Sequence, residues 1–362
     1  MSYNLEEILR NFKIEADISS YGNGHINDTY IVENEPKYIL QKINTNVFKN
    51  PDEVMENILE VTSHLRKKIK AEGGDPDRET LTVIKTIDDN CYYKLSDDAY
   101  FRLYKFIDNA VSYDIVDSPD KLYSAGYAFG KFQNMLSDFP ADKLFETIKD
   151  FHNTVNRFEN LKQAIKEDKM GRLSSVKDEI EFALKREYFC DKVISKMAEG
   201  KIPSRVTHND TKLNNVMLDK DTGEGVCVID LDTVMPGSLL YDYGDALRFG
   251  ANSAAEDEKD LSKVWFKEDM FKAFSKGFLT PLSNTLTDEE FNLLPFSIKL
   301  MTYECGIRFL TDYLNGDTYF KIHYEDQNLA RTRTQFKLIA DFESKENKLF
   351  DELKKIREEI SK

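Results

Sequence analysis

The spacing of apolar residues predicts a helix, a hairpin and a strand at the beginning of the chain. Apolar residues at positions 5, 8, 9 and 12 follow the helical repeat. Residues 18–32 have strand-like ends on either side of a Gly-Asn-Gly turn, which is typical of a hairpin. Residues 38–43 predict a strand in which Gln41 and Lys42 point to opposite faces. The beginning of the chain is therefore predicted to form part of a sheet.

One long helix and three more strands are predicted to complete a first lobe. Asn50 followed by Pro51 is a favourable helix start, and apolar residues at 54, 55, 58, 61 and 65 continue the helix to residue 70. Gly73 to Pro76 break the chain, and strand-like runs follow at 81–86, 91–95 and 100–107. These elements predict a small lobe with a mixed sheet, residues 1–107.

Helical periodicity dominates the rest of the chain. The predicted helices span 125–136, 145–167, 176–199, 270–279, 288–313 and 331–361. Residues 206–232 interrupt them with a loop, a turn and an apolar strand, and the charged residues 254–263 are expected at the surface. The whole pattern predicts a two-lobed α+β protein whose second lobe, residues 108–362, is larger and mainly helical.

Composition places the chain among globular proteins of a reducing compartment. Of its 362 residues, 41% are hydrophobic and 32% charged. No run approaches the ~18 apolar residues of a membrane helix, and the N-terminus lacks the apolar core of a secretory signal. The four cysteines are widely spaced without a CxxC pair, which argues against a zinc site or a disulfide framework. We therefore expect a cytoplasmic protein without a membrane partner.

The formal net charge of −15 narrows the classes of partner. A strongly acidic chain repels nucleic acid and anionic membranes, and no basic cluster is dense enough to offset this. An anionic nucleotide needs only local cations or Mg²⁺, so the charge does not exclude it.

Residues 206–232 carry a set of side chains suited to phosphoryl transfer. His208-x-Asp210-x4-Asn215 is followed, after a turn and a strand, by Asp230-x-Asp232. Transfer from a nucleotide needs one carboxylate to receive the proton of the attacking hydroxyl, and oxygen ligands to hold Mg²⁺. Asp210 matches the base, Asn215 and Asp230 match the metal ligands, and His208 is expected to support the loop. The segment predicts a phosphotransferase that uses Mg²⁺ and ATP.

The first lobe offers backbone groups for the nucleotide. Glycines at a hairpin tip let N–H groups approach phosphate oxygens, so Gly22, Asn23 and Gly24 are expected to cover the phosphates. The hinge is expected at residues 104–109, where the backbone of Lys105 and Ile107 pairs with the adenine edge.

One residue of strand 38–43 is expected to meet the α- and β-phosphates. A lysine in this place would favour Lys42, but period counting alone leaves Gln41 equally open. Three acidic residues of the next helix are alternative partners for a cleft lysine: Glu53, Glu56 and Glu60.

Several polar residues are candidates for contact with the acceptor. Asp242 is expected to support the catalytic loop from beneath, and Asp245 and Arg248 are expected to reach the cleft. The polar residues after the glycine turn exceed what a turn needs, and some are expected to face substrate: His25, Asn27 and Asp28.

A later helix carries a further pair of candidates. Arg308 lies four residues after Glu304, a spacing that usually gives a surface salt bridge. Arg308 and Tyr319 near the helix end are also residue types that a sugar-binding wall uses.

The chain resembles the aminoglycoside phosphotransferase-like (choline-kinase-like) branch of the protein-kinase fold. More closely, it is similar to the bacterial N-acetylhexosamine 1-kinases. The resemblance depends on five segments spread over nearly the whole length: YGNGHINDTY (21–30), YILQKIN (38–44), THNDTKLNNVMLD (207–219), VIDLDTVMPGSLLYDYGDALR (228–248) and ECGIRFLTDYLNGD (304–317).

This resemblance implies ATP- and Mg²⁺-dependent phosphorylation of the anomeric hydroxyl of N-acetylglucosamine or N-acetylgalactosamine. It implies that Asp210 is the base, that Asn215 and Asp230 ligate Mg²⁺, and that Asp232 lies behind them or on a second metal. It also makes Arg308 and Tyr319 candidates for sugar contacts. The hairpin departs from the fuller GxGxxG of protein kinases, so fewer backbone groups would hold the phosphates.

Two alternatives stay open at this point. The first is that the protein is a kinase of the same fold that acts on another alcohol, such as an aminoglycoside, a different sugar or an amino alcohol. Acidic residues would suit a cationic acceptor. A non-catalytic nucleotide-binding protein would be expected to have lost Asp210, Asn215 or Asp230, and all three are present. Epimer preference, ATP against GTP, and oligomeric state are not determined by these patterns.

Overall fold

The computed structural model describes residues 3–22, 27–115 and 117–362. Its N-terminal part is a six-stranded sheet in the order β1-β2-β3-β6-β4, with β5 also pairing with β6. Every described pairing is antiparallel, so the prediction of a mixed sheet is wrong; no parallel crossover joins these strands. The strands are β1 (Asp17–Ser20), β2 (Asp28–Glu33), β3 (Tyr38–Ile43), β4 (Val83–Ile84), β5 (Tyr93–Ser96) and β6 (Ala99–Lys105).

The register of β3 separates the two faces of this sheet. Gln41 lies opposite Thr29 on β2 and Arg102 on β6, whereas Lys42 lies opposite Asp28 and Phe101. The face that carries Lys42 is covered by helix α1 (Leu5–Arg10) in a small apolar cluster. The face that carries Gln41 is turned towards the rest of the protein, because strand side chains alternate.

Helix α2 (Pro51–Ala71) connects the sheet to the C-terminal part. Its apolar side joins the main core, with Met55 and Ile58 fully buried, and α3 (Pro76–Glu79) follows. The Asn57 amide donates to the carbonyl oxygens of Phe145 (2.8 Å) and Val234 (3.0 Å). These bonds hold α2 against the C-terminal part.

Helices form most of the C-terminal part. Two of them, α4 (Pro119–Met135) and α9 (Glu268–Leu279), approach each other closely at glycine residues. A Cβ on Gly126 would lie 2.5 Å from the Phe274 carbonyl oxygen, and one on Gly277 would lie 2.2 Å from that of Tyr123. Glycine is therefore required at both crossing points. The helices are α4 (Pro119–Met135), α5 (Thr154–Glu167), α6 (Lys177–Leu184), α7 (Lys192–Ala198), α8 (Leu239–Gly250), α9 (Glu268–Leu279), α10 (Asp288–Asn315) and α11 (Gln327–Ile360).

Three predicted helices have different bounds in the structure. Helix α4 begins earlier than residue 125, because Ser118 caps it and Pro119 occupies the first turn. Residues 145–153 are not helical, since Asn57 holds the backbone N–H and carbonyl of Phe145. The predicted helix 176–199 is divided by a 3₁₀ turn at Glu187–Phe189 into α6 and α7.

Five short strands between the helices frame residues 206–232. They form a three-stranded sheet, β10-β9-β7, and a two-stranded sheet, β11-β8. The α+β class is confirmed, and no described helix is long and apolar enough to cross a membrane. These strands are β7 (Ala110–Val111), β8 (Arg205–Thr207), β9 (Val216–Asp219), β10 (Gly225–Val228) and β11 (Met235–Gly237).

Candidate active site

The loop between β8 and β9 is held by a buried histidine. The Nδ1 atom of His208 accepts from the backbone N–H of Asp210 (3.3 Å). Its Nε2 therefore carries the proton and donates to the carbonyl oxygen of Ile229 (2.9 Å). The ring packs edge-on against Phe129. His208 thus connects the loop that carries Asp210 to the segment that leads to Asp230.

Asp242 supports the same loop from the first turn of α8. Its carboxylate accepts from the backbone N–H groups of His208 (2.9 Å) and Asn209 (2.8 Å) and from Nε2 of Gln133 (2.7 Å). Burial raises the pKa of Asp242, although the nearby His208 and these hydrogen bonds act to lower it. Asn209 has a φ of +65°, and the two bonds to Asp242 stabilise this left-handed turn.

The Asp210 carboxylate lies between an amide and an ammonium group. Nδ2 of Asn215 donates to Asp210 Oδ2 (3.0 Å) and to the Asp210 carbonyl oxygen (2.8 Å). Nζ of Lys212 lies 2.6 Å from Asp210 Oδ1. Because both amide hydrogens of Asn215 are used on Asp210, the Asn215 Oδ1 is left as an oxygen ligand for a cation.

Asp230 follows β10 in a left-handed conformation, with φ +58°. Burial and then the nearby carboxylates of Asp232 and Asp210 raise its pKa to about 6. Excess negative charge in a buried place favours a divalent cation. No three His, Cys, Asp or Glu side chains converge as a metal cage in the described ranges. One amide oxygen and one carboxylate nevertheless fit Mg²⁺, which is commonly held by one or two protein ligands together with phosphate oxygens.

Asp232, the third ligand candidate, has other partners. Its Oδ2 accepts from Nη2 of Arg102 (2.9 Å) and from Nδ2 of Asn27 (2.7 Å), and its Oδ1 accepts from Nη1 of Arg102. The side chains of Arg102 and Asp232 are only 1% and 2% exposed. With both oxygens engaged, the geometry does not favour Asp232 as a metal ligand.

A cavity of about 270 Å³ lies between the sheet and the catalytic loop. Its apolar walls come from Ile39 and Leu81 on one side and from Met217 and Ile229 on the other. The hinge residues 105–107 line this cavity, and so do Asp210, Asn215 and Asp230. No hydrogen bond to the Ile107 backbone N–H is recorded in the described part of the chain. An apolar slot beside this backbone donor suits a purine base.

The structure separates the two candidates on β3. Gln41 lines the cavity, whereas the Lys42 ammonium lies 5.0 Å from the centre of the Tyr3 ring on the opposite face. Asp28 lies beside Lys42 on that opposite face and is exposed. The geometry therefore favours Gln41 and moves Lys42 and Asp28 away from substrate.

Other candidates of the first lobe differ in position. Gly22 and Asn27 line the cavity, whereas none of the helix acids does: Glu53, Glu56 and Glu60. Lys105 lines it too, but its Nζ binds Asp77 (3.0 Å), so the expected contact falls to its backbone. Asn23, Gly24 and His25 lie outside the described residues.

A sequence model of a phosphotransferase enzyme family matches residues 17–271, which is more than half of the chain. The chain belongs to this family. The match includes the whole catalytic loop and both acidic residues of the Asp230-x-Asp232 pair.

Solved structures of similar fold cover nearly the full length of this phosphotransferase. An amicoumacin kinase in complex with AMP-PNP, Ca²⁺ and Ami has a TM-score of 0.61 and 14% identity, over 92% of this chain and 93% of that chain. An aminoglycoside phosphotransferase from Alicyclobacillus acidocaldarius has a TM-score of 0.60 and 12% identity, over 100% and 97%. A microcompartment-associated aminopropanol kinase has a TM-score of 0.58 and 14% identity, over 95% and 97%. At these identities the likeness concerns the fold, and the predicted two-lobed kinase-like fold is confirmed.

Lys212 is a residue of the candidate site that the sequence analysis missed. It lines the cavity and contacts Asp210. Burial acts against its charge, but the carboxylates of Asp210 and Asp245 outweigh this and raise the pKa of Lys212. A half-buried ammonium beside Asp210 is suited to a phosphate oxygen. Its place two residues after Asp210 was the available signal.

Replacing Lys212 by Met should lower kcat about 100-fold, because a fixed cation that faces developing phosphate charge is lost. Lys42→Met is the matched control, since Lys42 lies on the other face of the sheet, and its kcat should stay within about twofold of the wild type. Steady-state ADP release measures both. A larger loss in Lys42→Met than in Lys212→Met would contradict the assignment.

Asp245 and Arg248 lie on α8 beside the catalytic loop. Nε of Arg248 donates to Asp245 Oδ1 (2.8 Å), and its Nη1 donates to Glu256 Oε1 (3.0 Å). Asp257 likewise accepts from Nε2 of Gln327 (2.8 Å). Residues 254–263 are therefore partly buried, and not wholly at the surface as expected, because their acids bind groups on α8 and α11.

His152 and Glu304 form a further buried pair near Asp245; the sequence analysis named Glu304 only as a partner of Arg308 and did not name His152. His152 Nδ1 lies 2.8 Å from Glu304 Oε1, and Thr154 Oγ1 donates to Glu304 Oε2 (2.6 Å). Glu304 thus pairs with residues about 150 positions away instead of with Arg308. Nε2 of His152 is buried and has no partner in the described part of the chain.

Arg308 and Tyr319 line a second cavity, of about 330 Å³, which shares no lining residue with the first. Nη2 of Arg308 donates to the Tyr319 hydroxyl (3.4 Å). Arg157 lines the same cavity, and its buried Nε has no partner. Burial and the neighbouring Arg308 lower the pKa of Arg157. Within the described ranges, neither arginine forms an ion pair. The structure thus does not bring Arg308 and Tyr319 into the nucleotide cavity.

Proposed function

We propose that this phosphotransferase is an ATP-dependent kinase of N-acetylhexosamines that produces the sugar 1-phosphate. The observation that carries the proposal is the Asp210 carboxylate, fixed by Asn215 and Lys212 within the cavity that also contains Asp230 and the hinge. The overall resemblance to the hexosamine 1-kinases, through the segments around residues 228–248 and 304–317, supports the acceptor. A cytoplasmic site of action is part of the proposal.

The cavity has the groups that phosphoryl transfer needs. The purine would occupy the apolar slot, with Ile107 N–H on its edge, and the phosphates would extend towards Gln41 and Lys212. Asn215 Oδ1 and the Asp230 carboxylate would hold Mg²⁺, which supplies compensation of phosphate charge when it is bound.

Asp210 acts as the base in this proposal. It receives the proton of the C1 hydroxyl while that oxygen bonds to the γ-phosphorus. The bond from the γ-phosphorus to its bridging oxygen breaks, and ADP leaves. Lys212 compensates the charge on the transferred group, and Asp242 with His208 keeps the loop in place.

The charges near the proposed acceptor region support a neutral sugar over a cationic acceptor. The carboxylates of this region already have partners: Asp245 with Arg248, Glu256 with Arg248, and Glu304 with His152 and Thr154. Arg157 and Arg308, by contrast, form no ion pair in the described residues. Tyr319 is 71% exposed beside them and offers an aromatic face. Asp245, Arg248, Arg308 and Tyr319 remain our proposed acceptor contacts.

A second candidate is a kinase of an amino alcohol or an aminoglycoside. Its support is the net charge of −15 together with the acceptors named for structures of the same fold, an aminopropanol kinase and a spectinomycin phosphotransferase. A non-catalytic nucleotide-binding protein has less support, since Asp210, Asn215 and Asp230 all line one cavity.

The test is ADP release from Mg–ATP over a panel of acceptors, with ³¹P NMR of any product. The panel contains N-acetylglucosamine, N-acetylgalactosamine, glucose, galactose, kanamycin, spectinomycin, choline and 1-amino-2-propanol. We expect turnover on the N-acetylated sugars with an anomeric phosphate in the product. Turnover confined to the amine acceptors would contradict the proposed sugar acceptor and favour the second candidate. Nucleotide binding without turnover on any acceptor would favour a non-catalytic protein.

A further inference from the structure

In its described residues, the sheet over the nucleotide cavity has no lysine–glutamate ion pair of the kind that protein kinases use there. On β3 the residue that faces the cavity is Gln41, and Lys42 lies against Tyr3. None of the acidic residues of α2 lines the cavity. The residue of α2 that contacts the cavity-lining cation Arg102 is Met55, whose Sδ lies 3.9 Å from Arg102 Nη1. The described part of the sheet therefore needs another way to hold its position above the metal loop.

Arg102 supplies a cation on the cavity face of the sheet, but from β6, the strand next to β3. It is the cross-strand partner of Gln41 in the β3–β6 register, so both side chains emerge on the cavity face. Nε and Nη2 of Arg102 donate to Gln41 Oε1 at 3.2 and 2.9 Å. Its Nη1 and Nη2 donate to the two oxygens of Asp232.

Arg102 lines the cavity but is only 1% exposed, and these contacts use its N–H donors, so none is left for a phosphate oxygen. It acts instead on its partners. With Oε1 on Arg102, the Gln41 amide has a defined orientation, and Nε2 donates to Thr29 Oγ1 (3.1 Å). The remaining Nε2 hydrogen of a cavity-lining residue is then available for a phosphate oxygen.

Asp232 connects this cluster to the metal loop. It lies two residues after Asp230, and its Oδ2 also accepts from Asn27 at the start of β2. Asn27 in turn accepts from the backbone N–H of Asn44, just after β3. One carboxylate of the C-terminal part thus holds three strands of the sheet: β2, β3 through Gln41, and β6.

We propose that Arg102 and Asp232 are positioning residues of the nucleotide site, an ion pair that holds the sheet at a fixed distance above the metal loop. Desolvation offsets much of the attraction in a buried ion pair, so its main effect is on geometry and less on net stability. The pair takes the place of the lysine–glutamate pair of protein kinases, and the inference rests on the proposed nucleotide site. It also assigns Asp232 a role other than metal ligation.

The test uses a variant that removes both charges, Arg102→Met with Asp232→Asn, because each single change leaves one buried charge unpaired and risks unfolding. Its matched control is Arg205→Met with Glu290→Gln. That pair is as deeply buried, at 7% and 0% exposure, and lines no part of the nucleotide cavity. Thermal melting shows whether both double variants fold.

Binding of Mg–AMP-PNP by isothermal titration calorimetry needs no acceptor and is the main measurement. We expect the Arg102–Asp232 double variant to bind about tenfold more weakly or worse, and the control double variant within about twofold of the wild type. In turnover, the loss should appear in KM for ATP and not in KM for the acceptor, with the half-saturating Mg²⁺ concentration unchanged.

Two results would overturn the inference alone. If the Arg102–Asp232 double variant bound Mg–AMP-PNP with wild-type affinity, the ion pair would have no role in positioning the nucleotide site. A raised half-saturating Mg²⁺ concentration in the Arg102–Asp232 double variant would make Asp232 a metal ligand. If the wild type itself bound no nucleotide, the proposed function would fail first and this inference with it.

Discussion

Replacing Asp210 by Asn should lower kcat by about 10²- to 10⁴-fold, the usual contribution of a positioned general base. Asn has nearly the same shape and keeps a hydrogen-bond acceptor for Nδ2 of Asn215, so the loop should stay folded. It cannot receive the proton of the attacking hydroxyl. The affinity for Mg–AMP-PNP should therefore stay close to the wild-type value, and single-turnover rates should carry the whole loss.

The control for this change is Asp114→Asn. Asp114 is an exposed carboxylate that lines the same cavity and has no hydrogen-bond partner among the residues the structure describes, so it matches the change in charge but not the role. Its kcat should stay within about threefold of the wild type. Near wild-type turnover in Asp210→Asn would show that the base is another group.

Replacing Asp230 by Asn should reduce kcat/KM for ATP by roughly 100- to 1,000-fold, because a bound metal ion contributes several kcal/mol of charge stabilisation. The half-saturating Mg²⁺ concentration should rise in the same variant. Its melting temperature without nucleotide should not fall, since the change removes a buried negative charge that lies near Asp210 and Asp232.

Varying Mg²⁺ at fixed ATP separates this role from a loss of folding. If Asp230→Asn has the wild-type Mg²⁺ dependence but a reduced kcat, the residue acts on the transferred group and does not ligate the metal. If its melting temperature falls by many degrees, the loss of activity does not bear on the ligand assignment, and the conservative Asp230→Glu variant then decides it.

The local parts of the fold were predictable from periodicity. Strand β3 has the predicted bounds, and α2, α9, α10 and α11 are close to them, because these bounds depend mainly on local sequence. The mixed sheet and the single helix at 176–199 were wrong, since strand direction and helix breaks depend on contacts far along the chain. The bonds from Asn57 to the Phe145 backbone, 88 positions away, are an example.

The predicted candidates for the catalytic loop come together in the structure for a similar reason. Asp210 and Asn215 are near in sequence, and the antiparallel pairing of β9 with β10, in which Val228 lies opposite Val216, brings Asp230 back to them. The acceptor candidates are not gathered in this way. Arg308 and Tyr319 line a different cavity, and the His152–Glu304 pair left no trace in either local segment.

The sequence by itself determined the candidate chemistry of this phosphotransferase: a proposed base, two proposed oxygen ligands and a proposed hinge, all within short motifs whose spacing is set by local backbone geometry. Only the tertiary structure decided which face of β3 meets the nucleotide and which groups Asp232 binds. Strand alternation separates Gln41 from Lys42 without saying which face is covered by α1. The partner of Asp232, Arg102, lies 130 positions earlier, and only packing of the two lobes brings them together.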